Sequence, residues 1–260
     1  NIVQQLNVTG SFETQYNDSS VDKKYSETGT LNIGTIWLEL TGYSFSEDES
    51  TKSGINTASN RNGAQTTVHS LNVANKKENT GYDFTICNNS VAPVGDANVT
   101  IDLLSVGKKP SIGTVVKGFN AKEIKISGYE DVTKIEEIRF YDYYQNANDS
   151  SAVPKIIKAK DLKVDADGSL IVDEDMIKGL DFIRLKSMVI VCKDYAGQQD
   201  MSNLKKMNVR ITGVSDWFED LDAKLTITPS HISMKERALS LTDRLHVDKP
   251  RLDVHANLSY

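Results

Sequence analysis

Four groups of residues in this chain have types and spacings that could do chemistry. The first is Lys163-Val164-Asp165-Ala166-Asp167-Gly168-Ser169 followed by Asp173-Glu174-Asp175, which has enough carboxylates for a hard cation such as calcium. An EF-hand loop needs its glycine at the sixth position, however, and here glycine is fourth. Asp167-Gly168 between Leu162/Val164 and Leu170/Val172 reads instead as a hairpin turn, and no metal site is assigned. The second group is Phe140-Tyr141-Asp142-Tyr143-Tyr144. Strand periodicity puts Tyr141 and Tyr143 on one face and Phe140 and Tyr144 on the other, so Tyr141, Tyr143 and Tyr144 are candidates for stacking on sugar rings. Aromatic residues are also common strand formers that pack across neighbours, and that reading stands beside the first.

The third group lies in Ser44 to Gln65, a polar stretch with Glu47-Asp48-Glu49, Asn60-Arg61-Asn62-Gly63 and only Phe45 and Ile55 as large apolar residues. It reads as a loop longer than the roughly 12 to 15 residues usual in compact domains, so Asn60, Arg61 and Asn62 become binding candidates, with disorder as the competing reading. The fourth group is thiols and imidazoles. Cys87 and Cys192 are too few for a disulfide framework or a multi-thiolate zinc site and read as structural thiols. Of the four histidines, His69 stands alone, while His231, His246 and His255 cluster in the last part of the chain and read as solvated surface residues.

Enzyme signatures are missing: there is no Gly-x-Ser-x-Gly elbow, phosphate-binding glycine loop or His-Glu-x-x-His motif. The expectation is a non-catalytic chain with no cofactor. A glycosidase-like carboxylate pair stays open, because that constellation is spatial rather than sequential. A net charge of -6, with no basic run to offset it, argues against nucleic acid as a partner. No stretch approaches about 18 consecutive apolar residues, so no membrane insertion is expected. The start, Asn1-Ile2-Val3, is neither an initiator methionine nor a signal peptide, as expected of an excised or processed piece. Six Asn-x-Ser/Thr sequons, at Asn7, Asn17, Asn88, Asn98, Asn148 and Asn257, would suit a glycosylated ectodomain, although a chain this rich in Asn, Ser and Thr generates several by chance.

The elements that must position these residues are strands. Thr30-Leu31-Asn32-Ile33, Leu38-Glu39-Leu40, Asn98-Val99-Thr100-Ile101, Glu123-Ile124-Lys125-Ile126 and Lys224-Leu225-Thr226-Ile227 alternate apolar and polar residues. Turn clusters such as Asn62-Gly63, Ser127-Gly128 and Asp194-Tyr195-Ala196-Gly197 separate strand segments along the chain. Helical patterning is confined to Asp173–Leu180 and Asp216–Asp222. The fold class is therefore all-β.

Three signals recur in order. Leu38-Glu39-Leu40-Thr41-Gly42-Tyr43 returns as Ile124-Lys125-Ile126-Ser127-Gly128-Tyr129 and faintly as Leu225-Thr226-Ile227-Thr228-Pro229. Phe84-Thr85-Ile86-Cys87 returns as Val189-Ile190-Val191-Cys192, and Asn98-Val99-Thr100-Ile101 as Asn208-Val209-Arg210-Ile211. Offsets of about 90 to 110 residues fit tandem immunoglobulin-like β-sandwich domains. This gives module 1 over 1–104, module 2 over 105–213, and 214–260 as strands of a partial third module or a completion of module 2. In that last segment Leu239/Leu241, Leu245/Val247 and Leu252/Val254 alternate as strands do, and Trp217-Phe218 would wedge the junction.

The ordered modules, the Asn/Lys/Thr-rich strands and the near absence of cysteine resemble repetitive cell-surface proteins of Gram-positive bacteria built from tandem immunoglobulin-like domains. The nearest stretch is Asn88-Asn89-Ser90 leading through Gly95 into Asn98-Val99-Thr100-Ile101. The resemblance implies a secreted, cell-wall-associated adhesin or stalk module whose partner is a host or cell-surface protein or glycan. In some such proteins a Lys–Asn isopeptide bond staples the sheets; no pair here is nominated for one. Two other classes remain: a carbohydrate-binding accessory module of a larger enzyme, and a structural component of a phage tail or surface layer.

Overall fold

Alternation of apolar and polar residues decides the architecture seen in a computed structural model of the chain. It describes residues 4–13, 24–33, 36–46, 50–73, 79–90, 94–104, 118–142, 150–180, 185–195, 206–215, 219–230 and 238–248. In chain order the strands are β1 (Gln4–Glu13), β2 (Lys24–Ile33), β3 (Leu38–Ser46), β4 (Thr51–Lys52), β5 (Asn56–Ser59), β6 (Ser70–Val73), β7 (Thr80–Asn88), β8 (Gly95–Leu104) and β9 (Phe119–Ser127). Then come β10 (Lys134–Asp142), β11 (Lys155–Lys158), β12 (Lys163–Val164), β13 (Leu170–Val172), β14 (Leu185–Tyr195), β15 (Lys206–Ser215), β16 (Glu219–Pro229) and β17 (Leu239–Val247). Among the described residues helix is limited to α1 (Tyr129–Val132), α2 (Glu174–Gly179) and one 3-10 turn. The sequence-level expectation of helix over Asp173–Leu180 is met by α2, capped by the Asp173 carboxylate on the Met176 N–H. The other expected helix is replaced where it is described, because Glu219–Asp222 belongs to β16.

The strands form a β-sandwich. One sheet has seven strands in the order β11-β10-β14-β8-β16-β17-β6, and the other has eight, β12-β13-β9-β15-β7-β3-β4 with β5 beside β3. β1 and β2 pair with each other in a separate ladder. All large-sheet pairings are antiparallel except β17 with β6. Inward rows such as Met207, Val209 and Ile211 on β15 and Leu221, Ala223, Leu225 and Ile227 on β16 meet in one hydrophobic core. Two buried tyrosines bolt the sheets together: the Tyr82 hydroxyl on β7 donates to Leu221 O on β16 (2.7 Å), and the Tyr195 hydroxyl on β14 donates to Ile86 O on β7 (3.2 Å).

Hydrogen bonding crosses both boundaries expected from the repeat. β7 pairs with β15, and β8 lies between β14 and β16. The strands after residue 214 pair with strands before residue 104, β16 with β8 and β17 with β6, rather than with any strand of 105–213. The physical reason is that β8 carries an inward row, Ala97, Val99, Ile101 and Leu103, and an unpaired backbone edge that only β16 covers. The first recurring signal also resolves into two different devices. Gly128 has φ +70° and caps β9 in a turn, whereas Gly42 lies inside β3 with four more strand residues after it.

Ending the chain at Ser215 would remove β16 and β17, opening one edge of β8 and leaving β6 unpartnered. The expected outcome is loss of cooperative thermal unfolding by near-UV circular dichroism. A cooperative transition in the shortened chain would show instead that the earlier strands make a self-sufficient core.

Candidate functional site

The stretch expected to be a long loop is built into the eight-stranded sheet. β3 runs on to Ser46, β4 and β5 both pair back onto it, and a tight turn from Ser59 to Gly63 follows. In that turn the Ser59 hydroxyl accepts the N–H groups of Arg61 (3.1 Å) and Asn62 (3.3 Å), while Ser59 and Gly63 exchange backbone hydrogen bonds. The Asn60 side chain acts as a short piece of strand, its amide oxygen accepting Leu38 N–H and its NH2 donating to Ile36 O, both at 3.0 Å. Arg61 lays its guanidinium over the half-buried Trp37 ring, 4.7 Å from the centroid. Asn60, Arg61 and Asn62 are thus exposed but fixed by their own turn and by the start of β3.

Below this turn lies a polar network that strand patterning alone did not reveal. The inward row of β17 reads Leu239, Leu241, Asp243, Leu245, Val247, and Asp243 is 0% exposed. Its Oδ1 accepts from Asn56 Nδ2 at 2.6 Å, and Oδ2 has no hydrogen-bond partner. Asn56 uses its whole amide: Nδ2 also donates to His69 O, and Oδ1 accepts from His69 N and Gln65 Nε2. Gln65 then reads the backbone of Thr242 in both directions at 2.8 Å, extending the β17–β6 ladder by one side-chain rung. Burial, reinforced by the charge of Asp83 and opposed by the Asn56 hydrogen bond, pushes the Asp243 carboxyl up to about 7. The available sequence signal was an acidic residue at the inward phase of a strand.

The remaining candidates fall as follows. Tyr141 is buried, 6% exposed, on the outer side of the seven-stranded sheet against Val189, Val191 and Ala152, while Phe140 points into the core. Tyr143, Tyr144, Trp217, Phe218, His231 and His255 lie outside the described residues. His246 meets Asp220 at 2.6 Å beside Arg244, which grips Asp222 through two nitrogens, making a cross-strand charge ladder on the outer face of β16 and β17. Asp165 and Asp167 flank a hairpin turn and share the Lys125 ammonium (3.0 and 2.8 Å), which holds both carboxyls below the usual range. Among the described residues no group of three or more His, Cys, Asp or Glu is arranged to hold a metal.

Both thiols are buried, and neither is in a disulfide. Burial pushes Cys192 up to about 12 and raises Cys87, which donates to Asn89 Oδ1 at 2.8 Å. Of the sequons, Asn88 is buried at the end of β7 and accepts from Ser90, and Asn98 is half-buried in the middle of β8. The buried Asn88 amide is closed to a glycosyl donor once the sheets have formed.

No helix among the described residues is long and apolar enough to cross a membrane. No protein-family model matches the chain, and no curated protein or solved structure matches it either.

Two substitutions test the construction. A Cβ at residue 42 would overlap Asp243 Oδ2 and come within 2.9 Å of Phe84 Cδ1, so Gly42→Ala is expected to cost about 2 kcal/mol or more in urea unfolding. Asn56→Ala strands Asp243, Gln65 and the His69 backbone, and about 3 kcal/mol is expected. Thiol reagents should label neither cysteine in the native protein and both after denaturation, with the absorbance of released thiolate as the readout.

Proposed function

We propose that this chain is a non-catalytic, extracellular binding or stalk module of a cell-surface protein, with a protein or glycan as its ligand. The observation that carries the reading is the ledge at residues 36–73: an exposed polar turn, Asn60-Arg61-Asn62, mounted on a rigid sandwich with Arg61 stacked on Trp37. Guanidinium and carboxamide groups held in fixed positions bind hydroxyls and carboxylates well, because little rotamer entropy is lost on contact. Ile55, 64% exposed beside β5, adds an apolar contact of the kind a ring face or peptide side chain would cover. The carboxylates support a scaffold role as well. Asp96 is paired with Lys193, Glu137 with Arg139 and Lys158, Asp165 and Asp167 with Lys125, and Asp222 with Arg244.

The modular sandwich reading, with immunoglobulin-like units, enters the proposal in a particular form: units set edge to edge that share both sheets through β7–β15 and β8–β14. Such a double-width slab resists bending better than units joined by a linker, which suits a stalk. The accessory carbohydrate-binding reading draws on the same ledge and differs only in what the parent protein carries.

A glycan array and a surface-protein panel probed with the intact chain and with an Arg61→Ala/Asn62→Ala variant would test this. The expected result is binding that the double substitution weakens at least about tenfold, corresponding to the loss of one or two charge-assisted contacts. Binding unchanged by the substitutions, or a parent protein retained in the cytosol, would overturn it.

A further inference from the structure

We propose that Asp243 is a proton-operated latch: its neutral carboxyl holds residues 65–73 against β17, and its ionisation releases that segment while β5 stays paired with β3.

The geometry leads here step by step. Residues 56–73 reach the seven-stranded sheet through the parallel β6–β17 ladder, the two Gln65–Thr242 bonds and the Asn56–Asp243 bond. Gln65 is oriented by Asn56, and Asn56 is oriented by Asp243, so the side-chain part of this attachment converges on one carboxyl, beside the backbone ladder and the Asp248 N–H donated to Val73 O. That carboxyl is fully enclosed, with one oxygen on Asn56 and the other against the Gly42 backbone with no donor. A neutral acid tolerates this setting, whereas a carboxylate there lacks both water and a counter-ion.

Among the described residues, the groups around it offer no compensating cation. On β7, Asp83 adds a like charge and Tyr82 is a phenol whose own ionisation is suppressed by burial and by Asp222 and Asp243. On β15, Arg210 lies 3.6 Å from Asp83 and over the Phe45 ring. On β17 itself, Arg244 is engaged by Asp220 and Asp222 of β16. Lys224 of β16 stands opposite Thr242, on the outward phase, and is exposed. On β3, Glu39 accepts from Asn89 and Lys52 of β4 lies over Tyr43. β5 and β6 contribute no ionisable side chain, and His69 between them is exposed and meets Asn56 through its backbone.

The sign follows from the two ends of the equilibrium. Released into water, Asp243 titrates near 3.9; latched, near 7. Between those values the latched state holds the extra proton. The latch is therefore at full strength below about pH 4, weakens by up to about tenfold per pH unit as pH rises, and contributes nothing above about 7. Carboxylates held low by lysine partners, such as Asp165 and Asp167, act in the opposite sense only at acid pH. The interval from pH 5.5 to 8 lies above those carboxylates, and the Asp243→Asn variant separates Asp243 from His69 and from His246, which stands opposite Asn72 in the β17–β6 ladder and pairs with Asp220.

Hydrogen–deuterium exchange read by mass spectrometry at pH 5.5 and 8, corrected for intrinsic exchange, is the test. Protection of residues 65–73 is expected to fall on the order of 10- to 30-fold over that interval, while β5, β14 and β15 change little. Asp243→Asn should remove the pH dependence in 65–73 whatever its absolute protection. Should that variant not fold, Gln65→Ala decides: removing the Thr242 clamp should bring protection at pH 5.5 down to near the wild-type value at pH 8. A flat wild-type profile, a pH-dependent Asp243→Asn, or a Gln65→Ala that keeps full protection at pH 5.5 would each overturn the latch.

Discussion

Both edges of β8 are hydrogen-bonded to strands from the far side of the chain, β14 on one edge and β16 on the other, and the rest of the molecule depends on that arrangement. A strand with a fully buried inward row cannot leave either backbone edge open within a sheet without losing several hydrogen bonds to nothing. Once β16 closes one edge, β17 follows by antiparallel pairing, and β6 is captured on the outside of β17. Once β14 closes the other, β10 and β11 extend the sheet outward. The seven-stranded sheet is thus a consequence of satisfying one central strand twice.

The second sheet is locked to the first by contacts that are both apolar and directional. Interdigitating Leu, Ile, Val and Phe side chains supply the bulk of the attraction, which has no preferred angle. Tyr82 and Tyr195 add direction, since each phenol must place its hydroxyl on a particular carbonyl of the opposite sheet. Tyr82 also sits edge-on to Phe119, with ring centroids 5.0 Å apart, tying β7 to β9 across β15. Among the described residues several buried polar atoms lack a hydrogen-bond partner, including the hydroxyls of Ser46 and Thr80, and Asp243 Oδ2 is the one on an ionisable side chain, which links core packing to the surface ledge.

The surface has a different logic. Several charged side chains among the described residues are engaged in cross-strand pairs, which hold register and keep the sheet faces hydrated but contribute little stability individually. The ledge at 36–73 departs from this because its side chains are spent on shaping the backbone: Asn60 mimics a strand, Ser59 closes a turn, and Gln65 adds a rung to a ladder. A surface built this way is fixed in shape without being covered, and that property suits recognition.

The all-β class, the Asp-Gly hairpin at 167–168, the α2 helix and the inward rows of β15, β16 and β17 were legible from residue order, because strand period and turn chemistry are local properties. The partnerships were not. Three recurring signals mark similar strands without saying which strand lies beside which, and Leu38–Tyr43 and Ile124–Tyr129 turn out to flank β7 and β15 in one sheet. Residue order favoured packing for Tyr141 and left display open until neighbouring strands placed Val189 and Val191 beside it. Asn60 and Arg61 were visible as polar residues in a polar stretch, but only the closeness of Trp37 and the start of β3 made them a shaped surface. Asp243 required the most from tertiary structure. Its position in an apolar row is written in the sequence, while its missing counter-ion, the Gly42 contact and the Asn56–Gln65 relay arise only when two sheets meet, since a pKa depends on every element that excludes water from it.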